Sequence, residues 1–181
     1  MYWKNAAGHL RTVLHHKRLV AAMCFRVGLY RQGIFHDMCK FSPEEWVPSV
    51  RHYQGGKGSP IRGERRAEGY SPCWLHHKGH SKHHFEYWLD YSMEDPLRLT
   101  AVRMPPRYLA EMTLDRVAAA MVYNGEKYRL SDSLEYLHSH NPPGLIHPDT
   151  YRKLEEFFMI LAREGEESMY SAIREMLKNG Y

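Results

Sequence analysis

Residues 33–40 read Gly-Ile-Phe-His-Asp-Met-Cys-Lys, a stretch that sets an imidazole beside a carboxylate and places a lysine three residues later. Adjacent residues of a helix point about 100° apart, so the side chains of His36 and Asp37 would not normally converge. They converge if a cation lies between them. The stretch therefore predicts a cation site, and other parts of the chain must bring the remaining ligands to it.

The length and charge of the chain predict one mildly basic domain that covers residues 1–181. A chain of this length can bury a sizeable core without dividing into smaller domains. Its 25 basic and 21 acidic residues give a net charge of +4, which supports a nucleic-acid partner only weakly.

Histidine is the unusual residue, with 13 in the chain against three cysteines. Five histidines fall within nine positions: His76, His77, His80, His83 and His84. The three cysteines have no zinc-motif spacing, which favours reduced thiols in a cytoplasmic protein. The apolar run over residues 19–30 is too short to cross a bilayer, so no membrane association is expected.

Hydrophobic periodicity predicts helices along the whole chain. The first long helix is expected over residues 5–30, and its inward face carries these residues: His9, Val13, His16, Val20, Met23 and Val27. A short helix that carries His36 and Asp37 should end near Phe41. Ser42 followed by Pro43 is a helix-start signal, so another helix is expected to run to about residue 53.

The rest of the chain is expected to alternate between loops and helices. Residues 54–71 are glycine-rich and basic, which is typical of a flexible loop. Gly79 should divide the histidine-rich segment into helices over residues 73–78 and 82–91. Further helices are predicted over residues 106–123, 132–139, 148–163 and 166–178, the last three packing on the core as a C-terminal region over residues 125–181. No alternating pattern indicates a strand, so the expected fold is an all-α, single-domain helical bundle.

Two single residues on inward helix faces are candidate metal ligands. Asp115 shares its face with apolar residues, where a carboxylate is costly unless a cation or a metal offsets its charge. Alone, it is better explained as half of a buried salt bridge, and His16 alone as a core histidine bonded to a backbone carbonyl. Together with His36 and Asp37 they favour one or two divalent ions of Mn, Fe, Co, Ni or Zn, because imidazole and carboxylate ligands suit these metals.

The order of these residues resembles the HD-domain superfamily of metal-dependent phosphohydrolases. The stretch from His36 to Lys40 is similar to the HD-x-x-K form of its defining motif. The chain is also similar, over nearly its whole length, to an uncharacterised family of small bacterial and phage proteins. The stretches that carry this second likeness are 36–45, 74–78, 83–88, 111–112 and 115–116.

The HD resemblance implies roles for particular residues. It implies a first metal held by His16, His36, Asp37 and Asp115. Asp37 would bridge to a second metal held by His77 and by one of His83 and His84. Lys40 would contact a phosphate of the substrate.

The same resemblance implies hydrolysis of a small phosphorylated substrate, of which a nucleotide is one example. The metals would activate a water for attack on phosphorus, and lysines or loop arginines would offset the charge of the transferring group. Two alternatives stay open from the sequence. The first is an HD-type di-iron oxygenase with the same ligands. The second is a non-enzymatic helical module with a structural metal.

Overall fold

The computed structural model describes residues 2–141 and 144–181, so residues 1, 142 and 143 of the predicted domain lie outside it. Within these ranges the chain forms nine α-helices and one small sheet, which confirms the all-α, single-domain class. The α-helices are α1 Tyr2–Arg26, α2 Tyr30–Phe35, α3 Pro43–Arg51, α4 Pro60–Glu68, α5 Pro72–His80, α6 Pro106–Asn124, α7 Asp132–His140, α8 Pro148–Glu164 and α9 Glu166–Asn179. The strands are β1 Leu89–Tyr91 and β2 Leu99–Ala101, and 3-10 turns cover Met38–Phe41, Phe85–Trp88 and Gly125–Lys127.

Helix α6 lies at the centre of the molecule. It packs against α1 on one side and against α7, α8 and α9 on the others. Every residue from Leu109 to Asp115 is buried, which means that the helix is enclosed on all of its faces. A carboxylate on this helix is therefore surrounded by protein, and the position of Asp115 follows from the packing of the whole bundle.

The predicted inward face of α1 is confirmed, and α8 also buries one of its faces. On α8 the residues Leu154, Phe157, Phe158 and Leu161 are fully buried. On α1 the apolar residues of the predicted face are buried, as is His9, and the side chain of His16 is only 11 % exposed. The 4-3-4-3 spacing thus gave the correct rotation of α1 about its axis.

The prediction that His36 and Asp37 lie on a helix is wrong. Helix α2 ends at Phe35, and His36 is extended, with φ −50° and ψ 129°. Asp37 is left-handed at φ 53°, the only residue other than glycine with positive φ in the described part of the chain. Aspartate tolerates this conformation better than most residues. A sharp turn at this point lets two adjacent side chains converge, as a helix would not.

The prediction that residues 54–71 form a loop is also wrong in its centre. Pro60–Glu68 forms α4, with Pro60 in its first turn and Gly69 in the left-handed conformation after its last residue. Glu64 is buried on this helix and accepts a hydrogen bond from the hydroxyl of Ser71. This contact ties α4 to the start of α5. Ser59-Pro60 is the same start signal as Ser42-Pro43, but the glycines around it obscured it.

The histidine-rich segment departs from the prediction in two places. Helix α5 continues through Gly79 to His80, so the expected break comes two residues later. A second helix over residues 82–91 does not form. A 3-10 turn and strand β1 occupy this stretch instead, and Leu89 pairs antiparallel with Ala101 of β2. Strands of three residues are too short to show a period-2 pattern, which explains why the sequence did not reveal them.

Candidate metal centre

The first ligand group consists of His16 from α1, His36 and Asp37 from the turn after α2, and Asp115 from α6. The His16 Nε2 lies 2.9 Å from the Asp115 Oδ1. The His36 Nε2 lies 3.3 Å from the same oxygen and 3.5 Å from the Asp37 Oδ2. One ligand atom from each of the four residues fits within a 4.8 Å span, close enough to bind one ion.

The second ligand group consists of Asp37, His77 from α5, and His83 and His84 from the segment after α5. The Asp37 Oδ1 lies 3.4 Å from the His77 Nε2 and 3.3 Å from the His83 Nε2. The His77 Nε2 lies 3.0 Å from the His84 Nε2. One ligand atom from each of these four residues also lies within 4.8 Å of the others. Both His83 and His84 are therefore within reach, where the resemblance implied one of them.

Asp37 belongs to both groups, with a different oxygen facing each. Its Oδ2 faces the first ligand group and its Oδ1 faces the second. Its side chain is 1 % exposed, so both oxygens are enclosed by protein. A carboxylate in this position can bridge two cations, which is the role that the HD resemblance implied for this residue.

Two further carboxylates, which the sequence reasoning did not assign, orient the histidines. The Glu111 Oε1 accepts from the Nδ1 of His36 at 3.0 Å and lies 3.3 Å from the Nδ1 of His83. The Glu45 Oε2 accepts from the Nδ1 of His77 at 2.8 Å. A neutral imidazole whose proton lies on Nδ1 keeps the lone pair of its Nε2 for a ligand bond. Carboxylate–histidine pairs of this kind commonly surround protein metal sites.

The pKa values in the centre are set by oppositely charged side chains that are buried next to one another. Burial by itself would raise the pKa of Asp37, but His36 and Lys40 hold it well below its ordinary value. Burial would lower the pKa of His83, yet the neighbouring carboxylates of Asp37 and Glu111 raise it to about 10. Burial and the charge of His83 lower the pKa of His84 well below its usual range. Protons thus balance the carboxylates here and must be displaced when a metal binds.

A second observation also indicates that these residues suit a metal ion. Among the described residues, the Asp37 Oδ1 and the His83 Nε2 are buried and lie 3.3 Å apart, yet neither makes a hydrogen bond of good geometry. Buried polar atoms normally have partners, and leaving them without one is costly. Both atoms face the second ligand group. Imidazole nitrogens with carboxylate oxygens suit a divalent transition metal, and the donor set does not select one metal from this class.

Lys40 lies beside the bridging carboxylate. Its Nζ donates to the Asp37 Oδ2 at 2.6 Å, and its side chain is 27 % exposed. Burial opposes the charge of Lys40, but Asp37 outweighs this effect and raises the pKa of the ammonium above its ordinary value. Lys40 is therefore a fixed positive charge at the edge of the centre.

The remaining histidines of the cluster and the nearby cysteine lie outside both groups. His76 pairs with the Glu45 Oε1 at 2.7 Å, and His80 bonds to the backbone oxygen of His76. Cys39 Sγ lies 3.3 Å from the Nδ1 of His77. Burial raises the pKa of its thiol to about 12, so the thiolate form that binds metals is disfavoured.

A cavity of about 260 Å³ opens onto the ligand residues. His16, Asp37, His77, His84 and Asp115 form one part of its wall, with Lys40 beside them. Further along, the wall is largely aromatic and apolar: Tyr53, Ile61, Trp74, Val122, Tyr123 and Tyr136. The two ligand groups are thus accessible from a space of small-molecule size.

The geometry defines an all-α protein with a buried His/Asp cluster at the wall of a cavity. The chain belongs to a family described as "Family of unknown function (DUF5662)", which matches residues 5–160. That description names no HD domain and assigns no activity. No curated protein and no solved structure matches the chain. None of the helices in the described ranges has the length and apolar character needed to cross a membrane.

Proposed function

We propose that this protein is a metal-dependent phosphohydrolase that acts on a small phosphate monoester through one or two divalent transition-metal ions. One observation carries the proposal: the two oxygens of buried Asp37 face two separate sets of ligand atoms. A bridging carboxylate between two His/Asp sets is suited to a two-ion site that binds and hydrolyses phosphate esters.

Each of the two ligand groups would hold one ion. His16, His36, Asp37 and Asp115 would hold one ion, and His77, His83 and His84 would share Asp37 in holding the other. When bound, such ions supply Lewis acidity towards phosphoryl oxygens and lower the pKa of a bound water.

Two kinds of neighbouring residue complete the proposed site. Glu45 and Glu111 keep the imidazoles in the orientation that points Nε2 inwards. Lys40 would use its ammonium to hold the phosphate and to offset negative charge that develops during the reaction.

The cavity supports an enzymatic role over a purely structural metal. Structural sites are usually closed by protein ligands, whereas catalytic sites keep an open position. The cavity reaches both ligand groups, and its volume of about 260 Å³ suits a small ester and not a polymer. The three cysteines are free, which is consistent with a cytoplasmic location.

The test is metal analysis and a phosphate-release assay on protein purified without a metal-affinity step. We expect bound transition metal and metal-dependent release of phosphate from a panel of phosphate monoesters. Asp37→Ala should remove most of the metal and all of the activity. Asp90→Ala, the same change at an exposed position on β1, should keep both.

Full metal occupancy in Asp37→Ala would contradict the metal site itself. Bound iron with oxygen consumption, and no phosphate release, would replace hydrolysis by the oxygenase alternative. Bound metal with neither reaction would favour the non-enzymatic module.

A further inference from the structure

His9 is a buried histidine that has no hydrogen-bond partner in the described part of the chain, and it lines the same cavity. Its residue is 5 % exposed. Both of its ring nitrogens lack a hydrogen-bond partner among the described residues. Desolvating an imidazole without replacing its hydrogen bonds is costly, so most buried polar side chains are satisfied. Because His9 lines the cavity, a molecule held there would supply these partners.

The aromatic rings around His9 fix its position but form no hydrogen bond with its ring nitrogens. The ring centroid of Trp46 lies 5.2 Å away, and that of Tyr53 lies 6.0 Å away. Tyr53 approaches α1 closely at Gly8, where an added Cβ would come within 2.6 Å of its ring. Glycine at this position thus lets the Tyr53 ring approach the helix beside His9.

The distance between His9 and the metal ligands sets the size of a ligand that reaches both. His9 and His16 lie seven residues apart on one face of α1, which corresponds to about 10 Å along the helix. Both residues contribute to the cavity wall. A phosphate at the ligand groups and a polar group about 10 Å away would occupy the two ends of one small molecule.

The charge state of His9 limits what it can recognise. Burial and the charge of Lys40 lower its pKa to about 4, so the ring is neutral near pH 7. A neutral imidazole offers one donor and one acceptor. It suits an uncharged group and gives no favourable charge for a second phosphate. The aromatic residues of the wall, including Tyr53, Trp74 and Tyr123, suit a planar ring.

We propose that His9 is a specificity-determining residue that exchanges hydrogen bonds with the uncharged polar edge of a planar ring carried by the leaving alcohol, such as the base of the nucleoside released from a nucleoside monophosphate. This inference rests on the proposed function, because the phosphate of the same molecule is taken to lie at the ligand groups. To the proposed function it adds the chemical class of the leaving group and the residue that recognises it.

The test compares two probes on metal-loaded protein by calorimetry. One probe is inorganic phosphate, which can occupy only the metal end. The other is a hydrolysis-resistant phosphonate analogue of adenosine monophosphate, which can reach His9. We expect the nucleotide analogue to bind wild type more tightly than phosphate does. His9→Leu should weaken the analogue about 5- to 30-fold and leave phosphate within about twofold.

Three companion measurements separate recognition from packing. His9→Asn, which keeps a donor and an acceptor, should recover part of the lost affinity. His15→Leu, an exposed position on the same helix, should bind both probes as wild type does. His9→Leu should melt no lower than wild type, because it removes an unsatisfied polar group from the core.

A direct measurement on wild type covers the case in which a variant does not fold. In protein with 15N-labelled histidine, the His9 ring signals should shift with the nucleotide analogue and not with phosphate. Equal binding of the analogue by wild type and His9→Leu, or unshifted His9 signals, would overturn this inference alone. Failure of metal-loaded protein to bind even phosphate would overturn the proposed function and the inference with it.

Discussion

The first and second ligand groups share Asp37 but are built in different ways. The first draws His16 and Asp115 from two long helices, α1 and α6, that pack directly against each other. The second draws His77 from the end of α5 and His83 and His84 from the irregular segment after it. Regular helices fix where a side chain points, whereas an irregular segment needs its neighbours to do so.

The carboxylates show this difference. In the first ligand group, Asp115 itself contacts both histidines. In the second, Glu45 holds His77 from outside the group, while Glu111 lies between His36 of the first group and His83 of the second. The first group also has two carboxylates that offset the charge of a divalent ion, while the second has only the shared one. We therefore expect the first group to hold its ion more tightly and the second to retain more positive charge for an anionic ligand.

The largest expected effect concerns Asp115→Asn, which should weaken metal binding at the first ligand group by more than about 100-fold. Loss of an orienting residue outside the ligand set typically costs about 10- to 100-fold, and loss of a direct carboxylate ligand should cost more. Titration with metal and elemental analysis after dialysis measure this directly. The second ligand group should keep its ion, because His77, His83, His84 and Asp37 are unchanged.

The control for this variant is Asp132→Asn on α7. Asp132 is also a largely buried carboxylate, with its side chain 8 % exposed and paired with Arg129. Its loss should lower stability and leave metal content unchanged. If Asp115→Asn behaves in the same way, Asp115 is half of a structural ion pair and the first ligand group lacks one of its carboxylates.

The residues of the first ligand group were largely predictable because helix periodicity carries the information. The spacing on α1 predicted that His16 faces inwards, and the apolar neighbours on α6 predicted the same for Asp115. The convergence of His36 with Asp37 was also predicted, but for the wrong backbone. The positive φ of Asp37 depends on how α2 and the following turn pack, which no local pattern of residues expresses.

The orienting carboxylates were not predictable in the same way. Glu111 lies 75 residues from His36, and Glu45 lies 32 residues from His77, so both contacts depend on the tertiary fold. Glu111 did have a signal, since it lies four residues before Asp115 and thus on the same side of α6. Glu45 had none, because acids in the first turn of a helix are common for reasons unrelated to metals.

An intermediate effect is expected for Glu45→Gln, which should weaken metal binding at the second ligand group by about 10- to 100-fold. The neutral amide can still accept from His77, but it no longer stabilises the charge of the imidazole donor. The first ligand group should be unaffected, which makes this variant the counterpart of Asp115→Asn. The readout is the number and affinity of bound ions, determined by competition with a chelator.

Glu64→Gln on α4 is the matched control for this second variant. Glu64 is also a buried glutamate, 5 % exposed, and is bonded to the hydroxyl of Ser71. It should leave both metal affinities unchanged. Equal losses at both ligand groups in Glu45→Gln would show that the centre responds as one unit, and the comparison between the groups would fail.

The smallest effect on metal binding is expected for Lys40→Met, which tests the lysine that pairs with the shared Asp37. Lys40 donates to the Asp37 oxygen that faces the first group, so its ammonium competes with an ion for the same lone pairs. Removing it should leave metal affinity unchanged or raise it a few-fold. The chelated protein should lose stability, because a buried carboxylate loses a cation that balances it. The metal-loaded protein should lose less, because the ion then supplies the balancing charge.

The affinity for phosphate should fall in Lys40→Met, whereas the affinity for metal should stay the same or rise. If Lys40 holds the phosphate, calorimetry with inorganic phosphate should show weaker binding to the metal-loaded variant, although its metal content is intact. Lys82→Met, the same change at an exposed lysine, controls for the loss of one positive charge from the protein as a whole. Phosphate binding equal to that of wild type would make Lys40 a partner of Asp37 alone. The anion would then depend on the ions and the imidazoles of the second ligand group, whose greater positive charge would be the main attraction for the substrate.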